Sequence, residues 1–298
     1  MAPADDIARY RGKYMAGWDK LRVARRERQI EMGLIDASWP MSPREDDTPA
    51  WASLPRSEQE RYDHMMAIYA AMVDTMDQSV GTLVDGLKRR GQLDNTLILF
   101  MSDNGGNAES GIPGRYVGDN PGDPDSNVFI GQCWAGLNNT PFRKYKHHVH
   151  EGGSATPLIA HWPKAIAKRL NGQIDPQPGH LVDVMATLVD ICDADYPTQL
   201  NGHQIEPMQG VSLKPSFTGK PLARKEPIFF QHEGNRAVRD GKWKLVAFHE
   251  KEWKLYNMDT DRTELNDLSE QLPEKVSSMS AQFSAWAERT HCEPWPGK

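Results

Sequence analysis

The residue pattern predicts a mixed α/β fold, with a mainly parallel sheet covered by helices and a small C-terminal antiparallel sheet plus a helix. Residues 97–101 (LILFM) are apolar without polar alternation, as in strands that are buried on both faces. Residues 64–90 place apolar side chains at the i, i+3, i+4 spacing of an amphipathic helix. Beyond residue 221, short β-prone runs are separated by turn residues such as Asp240-Gly241.

The same pattern divides the chain into two predicted domains. Residues 1–220 read as an α/β domain, and residues 221–298 read as a small antiparallel-sheet domain that ends in a helix at about 273–289. Residues 4–33 are charged and predict one or two exposed helices. Residues 105–140 are rich in Gly, Pro, Asn and Asp, and a loop of that length inside a globular domain is usually functional.

Two further elements complete the predicted first domain. The apolar run at 156–163 (TPLIAHWP) predicts a second buried strand. The segment at 180–192 (HLVDVMATLVDIC) predicts a second amphipathic helix. Both faces of the sheet would then be covered by helices.

Composition excludes several classes of protein. The 298 residues are 38% hydrophobic and 26% charged, which is typical of soluble globular proteins. A formal net charge of −6 argues against a general nucleic-acid binder. No apolar run approaches the roughly 20 residues that span a bilayer.

The cysteines and the first residues of the chain carry information about the cellular compartment of the protein. Cys133, Cys192 and Cys292 are too few and too scattered for a disulfide framework or a thiolate metal cluster. The first residues lack the apolar core of a signal peptide. Localisation therefore stays open: the protein is cytoplasmic, or it is periplasmic or secreted through an export signal outside this chain.

A carboxylate and an amide follow the most apolar predicted strand. Asp103 and Asn104 stand at its carboxyl end, where ligands bind in sheets that are covered by helices. Their oxygen atoms are hard ligands that suit Ca²⁺ or Mg²⁺ and not zinc or copper. The alternative is an ordinary turn, because Asp-Asn-Gly is common turn chemistry.

A second candidate site lies at 140–157 (TPFRKYKHHVHEGGSATP). Basic side chains, Lys146 among them, precede the second predicted strand and could hold an anion such as sulfate, phosphate or carboxylate. The alternative is a solvated loop. His147, His148 and His150 lack the i, i+4 spacing of a helical metal pair and read as surface or packing residues.

Together these segments resemble the sulfatase family of the alkaline-phosphatase-like superfamily. The resemblance covers nearly the whole chain, and the order and spacing of its parts make it specific. The parts are the Asp77-to-Gly81 spacing in the long helix, SDNGG at 102–106, Lys-x-x-x-x-Glu-Gly-Gly-x-x-x-Pro from Lys146 to Pro157, the segment at 180–192, GVSL at 210–213, and the RDGKWKL…WKLYNMDTD region at 239–261.

The resemblance implies a role for each matching residue. Asp103 and Asn104 match the second pair of ligands to the catalytic divalent cation, usually Ca²⁺. Lys146 matches the lysine that contacts the sulfate ester and stabilises its negative charge. Glu151-Gly152-Gly153 matches a segment that shapes the approach to that lysine. Residues 1–220 would then be a partial sulfatase catalytic domain.

The departures from the family pattern lead to a further expectation. Sulfatases use a formylglycine made from Cys or Ser within Cys/Ser-x-Pro-x-Arg, and this sequence contains no such motif. The family's first Asp-Asp ligand pair and its histidine upstream of the long helix are also missing. We therefore expect a truncated C-terminal portion of a sulfatase, with the formylglycine in a missing upstream segment, a weakly held cation and no activity alone.

Three functions remain open from the sequence. The first is a sulfuric-ester hydrolase acting on a carbohydrate or aryl sulfate once the upstream segment completes it. The second is a related phosphoesterase or phosphonate hydrolase, since one scaffold serves both kinds of group transfer. The third is a non-catalytic remnant that binds an anion through Lys146.

Overall fold

A computed structural model describes residues 2–296. These residues form seven α-helices: α1 (Ala4–Tyr10), α2 (Gly17–Glu31), α3 (Arg56–Arg89), α4 (Gly131–Asn138), α5 (Glu151–Ser154), α6 (Val182–Ile191) and α7 (Pro273–Arg289). They also form ten β-strands: β1 (Ile98–Met101), β2 (Arg115–Val117), β3 (Asn127–Phe129), β4 (Leu158–His161), β5 (Gln199–Leu200), β6 (His203–Gln204), β7 (Ile228–His232), β8 (Asn235–Asp240), β9 (Trp243–Ala247) and β10 (Lys254–Asn257). None of the helices in this part of the chain is both long and apolar enough to cross a membrane.

The chain divides into two compact units. The first unit comprises Met1–Leu83, Asn104–Pro157 and Phe229–Lys298. The second unit comprises Val84–Asp103 and Leu158–Ile228. The division into 1–220 and 221–298 stays a prediction.

Part of the first unit is built around aromatic rings. Trp18 of α2 is fully buried, and its ring meets those of Trp51, Tyr62 and Trp134 edge-on at centroid distances of 4.8, 5.1 and 5.3 Å. Edge-to-face rings at such distances are favourable beyond the area that they bury. The indole of Trp18 donates a hydrogen bond to the carbonyl of Pro49, so the buried polar group is satisfied. These contacts pack α2, α3 and α4 together.

The long helix α3 confirms the helical spacing read from residues 64–90. It ends after a basic last turn, and Gly91 then takes the left-handed φ of +66°. Met65 and Ile68 in its first half are buried in the aromatic core, whereas Met76 and Leu83 in its second half are 45% and 60% exposed. The apolar stripe of α3 is therefore buried only in part. Its periodicity defines an apolar face, but only the first half meets the aromatic core.

The C-terminal antiparallel sheet and helix are confirmed. The strands lie in the order β10-β9-β8-β7, and β8 and β9 pair from Arg236↔Ala247 to Asp240↔Trp243 across the predicted Asp-Gly turn. Helix α7 packs against this sheet through Met279, which is fully buried against Val238, Leu245 and Leu255. The helix has the predicted bounds because its apolar positions alternate with charged and serine residues at helical spacing.

The second unit departs from the predicted sheet. Strands β1 and β4 pair antiparallel, from Ile98↔His161 to Met101↔Leu158, and no parallel pairing occurs between residues 2 and 296. Phe100 and Ile159 are 41% and 60% exposed. The predictions of a mainly parallel sheet and of fully buried strands are therefore wrong. A run of apolar residues indicates a strand, but it does not fix the direction of the partner or the elements that cover it.

The predicted long loop at 105–140 is also more structured than expected. It contains β2 and β3, which pair antiparallel from Arg115↔Phe129 to Val117↔Asn127, and the buried helix α4. Residues 156–163 and 180–192 form β4 and α6, as predicted. Local patterns thus located most elements, although they missed the short ones.

Candidate functional site

The two segments that carry the candidate site residues are hydrogen-bonded to each other within the first unit. The backbone N–H of Lys146 donates to the carbonyl of Gly106 at 3.1 Å. The N–H of Gly105 donates to the carbonyl of Gly153 at 3.0 Å. Asn104 and Lys146 therefore come from neighbouring backbone segments, although 42 residues separate them in the sequence.

Glycines make this close approach of the backbones possible. A Cβ atom on Gly105 would lie 1.8 Å from the carbonyl oxygen of Gly152. Cβ atoms on Gly152 and Gly153 would lie 2.2 Å from the Arg143 oxygen and 1.9 Å from the His148 oxygen. Each distance is far below van der Waals contact, so any side chain at these positions would push the segments apart. The glycines thus set the position of the loop that carries Lys146.

The ammonium group of Lys146 is accessible and faces a carboxylate. Its Nζ lies 2.6 Å from Oε1 of Glu109, and the lysine side chain is 31% exposed. The hydrogen bond from Lys146, together with one from Asn107, lowers the pKa of Glu109. The same carboxylate oxygen lies 3.6 Å from Nε2 of His147. The side chain of Lys146 is therefore reachable from solvent and paired with a carboxylate that an incoming anion could replace.

The predicted cation ligands follow β1. Asp103 is exposed and belongs to the second unit, whereas Asn104 is half-buried and belongs to the first. The side-chain nitrogen of Asn104 donates to the carbonyl of Gly105 at 2.9 Å, which fixes the orientation of the amide. Carboxylate and amide oxygens fit a hard cation, but they supply two of the six to eight ligands that Ca²⁺ takes. The position of Asp103 relative to Lys146 stays a prediction.

Glu151 belongs to a buried ion-pair network. Its carboxylate accepts hydrogen bonds from Lys244 at 2.8 Å and from Arg262 at 2.6 Å, and its backbone N–H donates to Glu264 at 2.9 Å. Burial alone would raise the pKa of Glu151, but the charges of Lys244 and Arg262 outweigh it and lower the pKa to about 2. For Glu264 burial prevails and raises the pKa. This network anchors α5 to the C-terminal sheet.

Two of the three histidines near Lys146 are packing residues. The ring of His150 is buried and stacks on Phe248 with centroids 4.6 Å apart, and His148 meets the same ring edge-on at 5.4 Å. Burial lowers the pKa of His148 to about 4 and that of His150 well below its ordinary value. Both rings are therefore neutral near pH 7, and they hold the loop against the sheet.

The third histidine forms part of a cluster that sequence reasoning missed. Nδ1 of His147 lies 3.0 Å from Oε2 of Glu233, and its ring centroid lies 5.6 Å from that of His232. Together with Glu109, these residues place three titratable groups around His147. No local pattern in the sequence relates His232 and Glu233 to His147.

Comparison with known families assigns the class of protein. Residues 2–194 match the model of the Sulfatase family, and residues 143–288 match the model described as N-sulphoglucosamine sulphohydrolase, C-terminal. The first match alone covers more than half of the chain. The chain therefore belongs to the sulfatase family, a lineage of sulfuric-ester hydrolases in the alkaline-phosphatase-like superfamily.

Individual relatives agree with this assignment. An uncharacterised sulfatase of Schizosaccharomyces pombe is 30% identical over 97% of this chain and 55% of its own length. An arylsulfatase of Klebsiella aerogenes is 31% identical over 76% of this chain and 50% of its own, and an N-acetylglucosamine-6-O-sulfatase of Bacteroides thetaiotaomicron is 26% identical over 70% and 32%. The chain spans about half the length, or less, of these relatives.

Solved structures share the fold. The crystal structure of Ps i-CgsB is 25% identical, with a TM-score of 0.58, and the match covers 91% of this chain and 54% of that one. The structure of Ps i-CgsB in complex with k-i-k-neocarrahexaose is 26% identical, with a TM-score of 0.57, and the match covers 79% and 44%.

Proposed function

We propose that this chain carries the cation-binding and sulfate-binding part of a sulfuric-ester hydrolase. Asp103 and Asn104 would ligate Ca²⁺ or Mg²⁺, and Lys146 would contact the sulfate group. The observation that supports this most is the hydrogen bond between Lys146 and Gly106, because it brings the basic side chain beside the segment that carries Asn104. Glu151-Gly152-Gly153 would keep that arrangement in place through the close glycine contacts and the buried Glu151 network.

The chemistry of the reaction explains why these residue types are needed. Breaking a sulfate ester increases negative charge on the sulfuryl and leaving oxygens, and a fixed ammonium group stabilises that charge. When bound, the divalent cation would add Lewis-acid stabilisation at the same oxygens. Glu109 would pair with Lys146 in the free protein and give up its place to a sulfate oxygen when substrate binds. Lys146 would thus remain charged and oriented throughout.

The proposal places the nucleophile outside residues 1–298. Sulfatases attack with a formylglycine from Cys/Ser-x-Pro-x-Arg, and the chain has no such sequence. Loss of a covalent nucleophile costs several orders of magnitude in rate even where the electrostatic residues remain. We therefore expect the chain to act as the C-terminal portion of a sulfatase, with weak cation binding and no turnover by itself.

Sulfate esters of carbohydrates or aryl alcohols are the proposed substrates. Support comes from two relatives whose names state such activities, an arylsulfatase and an N-acetylglucosamine-6-O-sulfatase. Both classes present the same group, an anionic sulfate, to Lys146.

The test measures release of p-nitrophenol from p-nitrophenyl sulfate, with Ca²⁺ present. Purified 1–298 should show no turnover. The chain joined to a segment that carries the formylglycine motif should hydrolyse the ester, and Lys146→Ala should lower that rate by about 10²–10³-fold, the usual loss for a group that stabilises developing charge. Lys254→Ala, which changes a surface lysine of β10, is the matched control and should leave the rate unchanged.

Three outcomes would contradict the proposal. Metal-dependent turnover by 1–298 that Asp103→Ala abolishes would mean that a nucleophile lies within the chain. Faster hydrolysis of p-nitrophenyl phosphate than of the sulfate by the joined protein would indicate a phosphoesterase. Failure of the joined protein to hydrolyse any ester, while sulfate still binds, would leave a non-catalytic anion-binding protein.

A further inference from the structure

We propose that His147, His232 and Glu233 form a binding site for a transition-metal ion of the Zn²⁺ type. Each residue offers one ligand atom, and the three atoms lie within 4.8 Å of one another. This site is separate from the oxygen ligands at 103 and 104, and it does not depend on the proposed hydrolase function.

The distances among the three ligand atoms are close to those expected around a bound Zn²⁺ ion. Ligands at about 2.0–2.2 Å from a tetrahedral Zn²⁺ lie roughly 3.3–3.6 Å from one another. Nδ1 of His147 and Oε2 of Glu233 are already 3.0 Å apart, so a metal ion between them requires only a small separation. The side chain of His232 is exposed, and rotation about its χ angles can close the wider gap.

Two of the three ligands stand in backbone conformations that are uncommon for their residue types. Glu233 and Gly234 form the two-residue turn between β7 and β8, with φ values of +49° and +77°. Such turns favour Asn-Gly or Asp-Gly, and a glutamate there pays a conformational cost. His147 has a φ of +81°. Backbone strain of this kind concentrates at functional sites and ligand clamps.

A buried asparagine ties the two segments together. The side-chain nitrogen of Asn235 donates to the backbone carbonyl of His147 at 2.9 Å, and its oxygen accepts the N–H of His249 at 3.3 Å. A Cβ on Gly234 would lie 2.0 Å from the ring of His249, so the turn is packed closely from that side. The loop that carries His147 and the hairpin that carries His232 and Glu233 are therefore held together before any ion binds.

The donor set indicates which ion would bind. Two imidazoles and one carboxylate suit Zn²⁺ and its neighbours in the transition series, whereas Ca²⁺ prefers oxygen ligands alone. Three protein ligands leave a fourth tetrahedral position for water or an anion. Nδ1 of His147 faces Glu233, and its Nε2 lies 3.6 Å from Glu109, which can accept the remaining ring N–H and orient the imidazole.

Glu109 also connects this site to Lys146. Its Oε1 lies 2.6 Å from the lysine ammonium group and 3.6 Å from the His147 ring. A cation bound beside His147 would therefore add positive charge within reach of the same carboxylate that neutralises Lys146. The competing interpretation is a plain hydrogen-bonded pair between His147 and Glu233 without a metal ion, and the experiment separates the two.

The experiment uses the full 298-residue chain with Cys192→Ser and Cys292→Ser, which removes the two cysteines that are not buried. Isothermal titration with Zn²⁺ should give one equivalent, and Co²⁺ should give the visible absorption of a tetrahedral ion. His232→Ala and Glu233→Gln should each weaken Zn²⁺ binding by at least about tenfold. His203→Ala is the matched control, an exposed histidine of β6, and should change nothing.

Three results would overturn the proposal. The first is the absence of a stoichiometric Zn²⁺ site in the parent protein. The second is equal Zn²⁺ affinity in His232→Ala and His203→Ala, which would mean scattered surface binding. The third is displacement of Zn²⁺ by millimolar Ca²⁺, which would assign the ion to oxygen ligands. Circular dichroism of each variant confirms that it is folded.

Discussion

The ammonium group of Lys244 lies 2.8 Å from the carboxylate of Glu151, and both side chains are buried. This pair joins β9 of the C-terminal sheet to α5, which begins five residues after Lys146. A second carboxylate, that of Glu264, lies 2.9 Å from the same lysine. The candidate sulfate-binding lysine is thus placed by a loop whose far end is fixed by buried charge.

Removing the buried lysine should destabilise the fold. In Lys244→Ala, the buried carboxylates of Glu151 and Glu264 lose their shared cation, and breaking such a buried pair costs about 3–5 kcal/mol. Urea unfolding measures the change. Lys254→Ala is the control, because its pair with Asp267 is 3.4 Å long and half-exposed, and such pairs contribute at most about 1 kcal/mol. Equal losses in both variants would show that the buried network does not stabilise the chain.

The same network predicts a dependence of stability on pH. The pKa of Glu151 is lowered to about 2 in the fold, below its ordinary value near 4.5. Its ionised form therefore stabilises the protein above the ordinary pKa, and this contribution is lost as pH falls through about 2. Wild type should exceed Glu151→Gln in free energy of unfolding at pH 6, and the difference should shrink between about pH 4.5 and 2.

The contribution of Glu264 to stability has the opposite dependence on pH. Burial raises its pKa, so its contribution is present below the ordinary pKa and is lost as pH rises through the raised value. The charge of Glu151 also raises the pKa of Glu264, so the difference between wild type and Glu151→Gln reports both carboxylates, and its decrease between about pH 4.5 and 2 is the part that belongs to Glu151. Glu252→Gln, at an exposed position, is the control and should follow wild type. A difference that stays constant down to pH 2 would contradict the assignment.

A methyl group at residue 105 should disrupt the candidate site. In Gly105→Ala the new Cβ would lie 1.8 Å from the Gly152 carbonyl, and because backbone cannot move as a side chain can, we expect a loss of about 1–3 kcal/mol. Gly81→Ala within α3 meets no atom within 4 Å and should instead stabilise by about 0.5–1 kcal/mol. Thermal unfolding of the two variants should shift in opposite directions. A stabilised Gly105→Ala would mean that the two segments are not in close contact.

The pair between Lys146 and Glu109 should compete with sulfate. Glu109→Gln removes the negative charge beside the lysine, so affinity for inorganic sulfate should rise by about two- to fivefold at low salt. Lys146→Ala should lower that affinity. Glu60→Gln changes an exposed carboxylate that pairs with Arg56 at 2.8 Å and should have no effect. Titration calorimetry with sodium sulfate measures these affinities. Unchanged sulfate binding in both Glu109→Gln and Lys146→Ala would exclude Lys146 as the anion contact.

Calcium binding by this chain should be weak. Asp103 and Asn104 give two oxygen ligands and one negative charge, and the weaker classes of Ca²⁺ site have dissociation constants of about 10⁻⁴–10⁻³ M. Asp103→Ala should weaken binding further, whereas Asp94→Ala, which changes an exposed aspartate of the same segment, should not. Calorimetry that gives a micromolar or tighter constant would contradict this expectation.

Part of the candidate site could be read from the sequence. The resemblance implies related roles for the SDNGG and Lys-x-x-x-x-Glu-Gly-Gly segments, and within the first unit hydrogen bonds join Gly105 and Gly106 to Gly153 and Lys146. The partners Glu109, His232 and Glu233 were missed, because no local pattern marks them as neighbours of His147. His147 and Glu233 stand 86 residues apart in the chain.

The sequence by itself determined the long helices, the small C-terminal antiparallel sheet and the family. Helical periodicity, turn residues and motif spacing are local properties, and α7 and the β8–β9 pairing follow from them. Only the tertiary structure decided the antiparallel pairing of β1 with β4, the exposure of Met76 and the burial of Lys244 beside Glu151. The reason is physical: strand direction, burial and ion pairing depend on which distant segment supplies the partner, and local spacing carries no information about that choice.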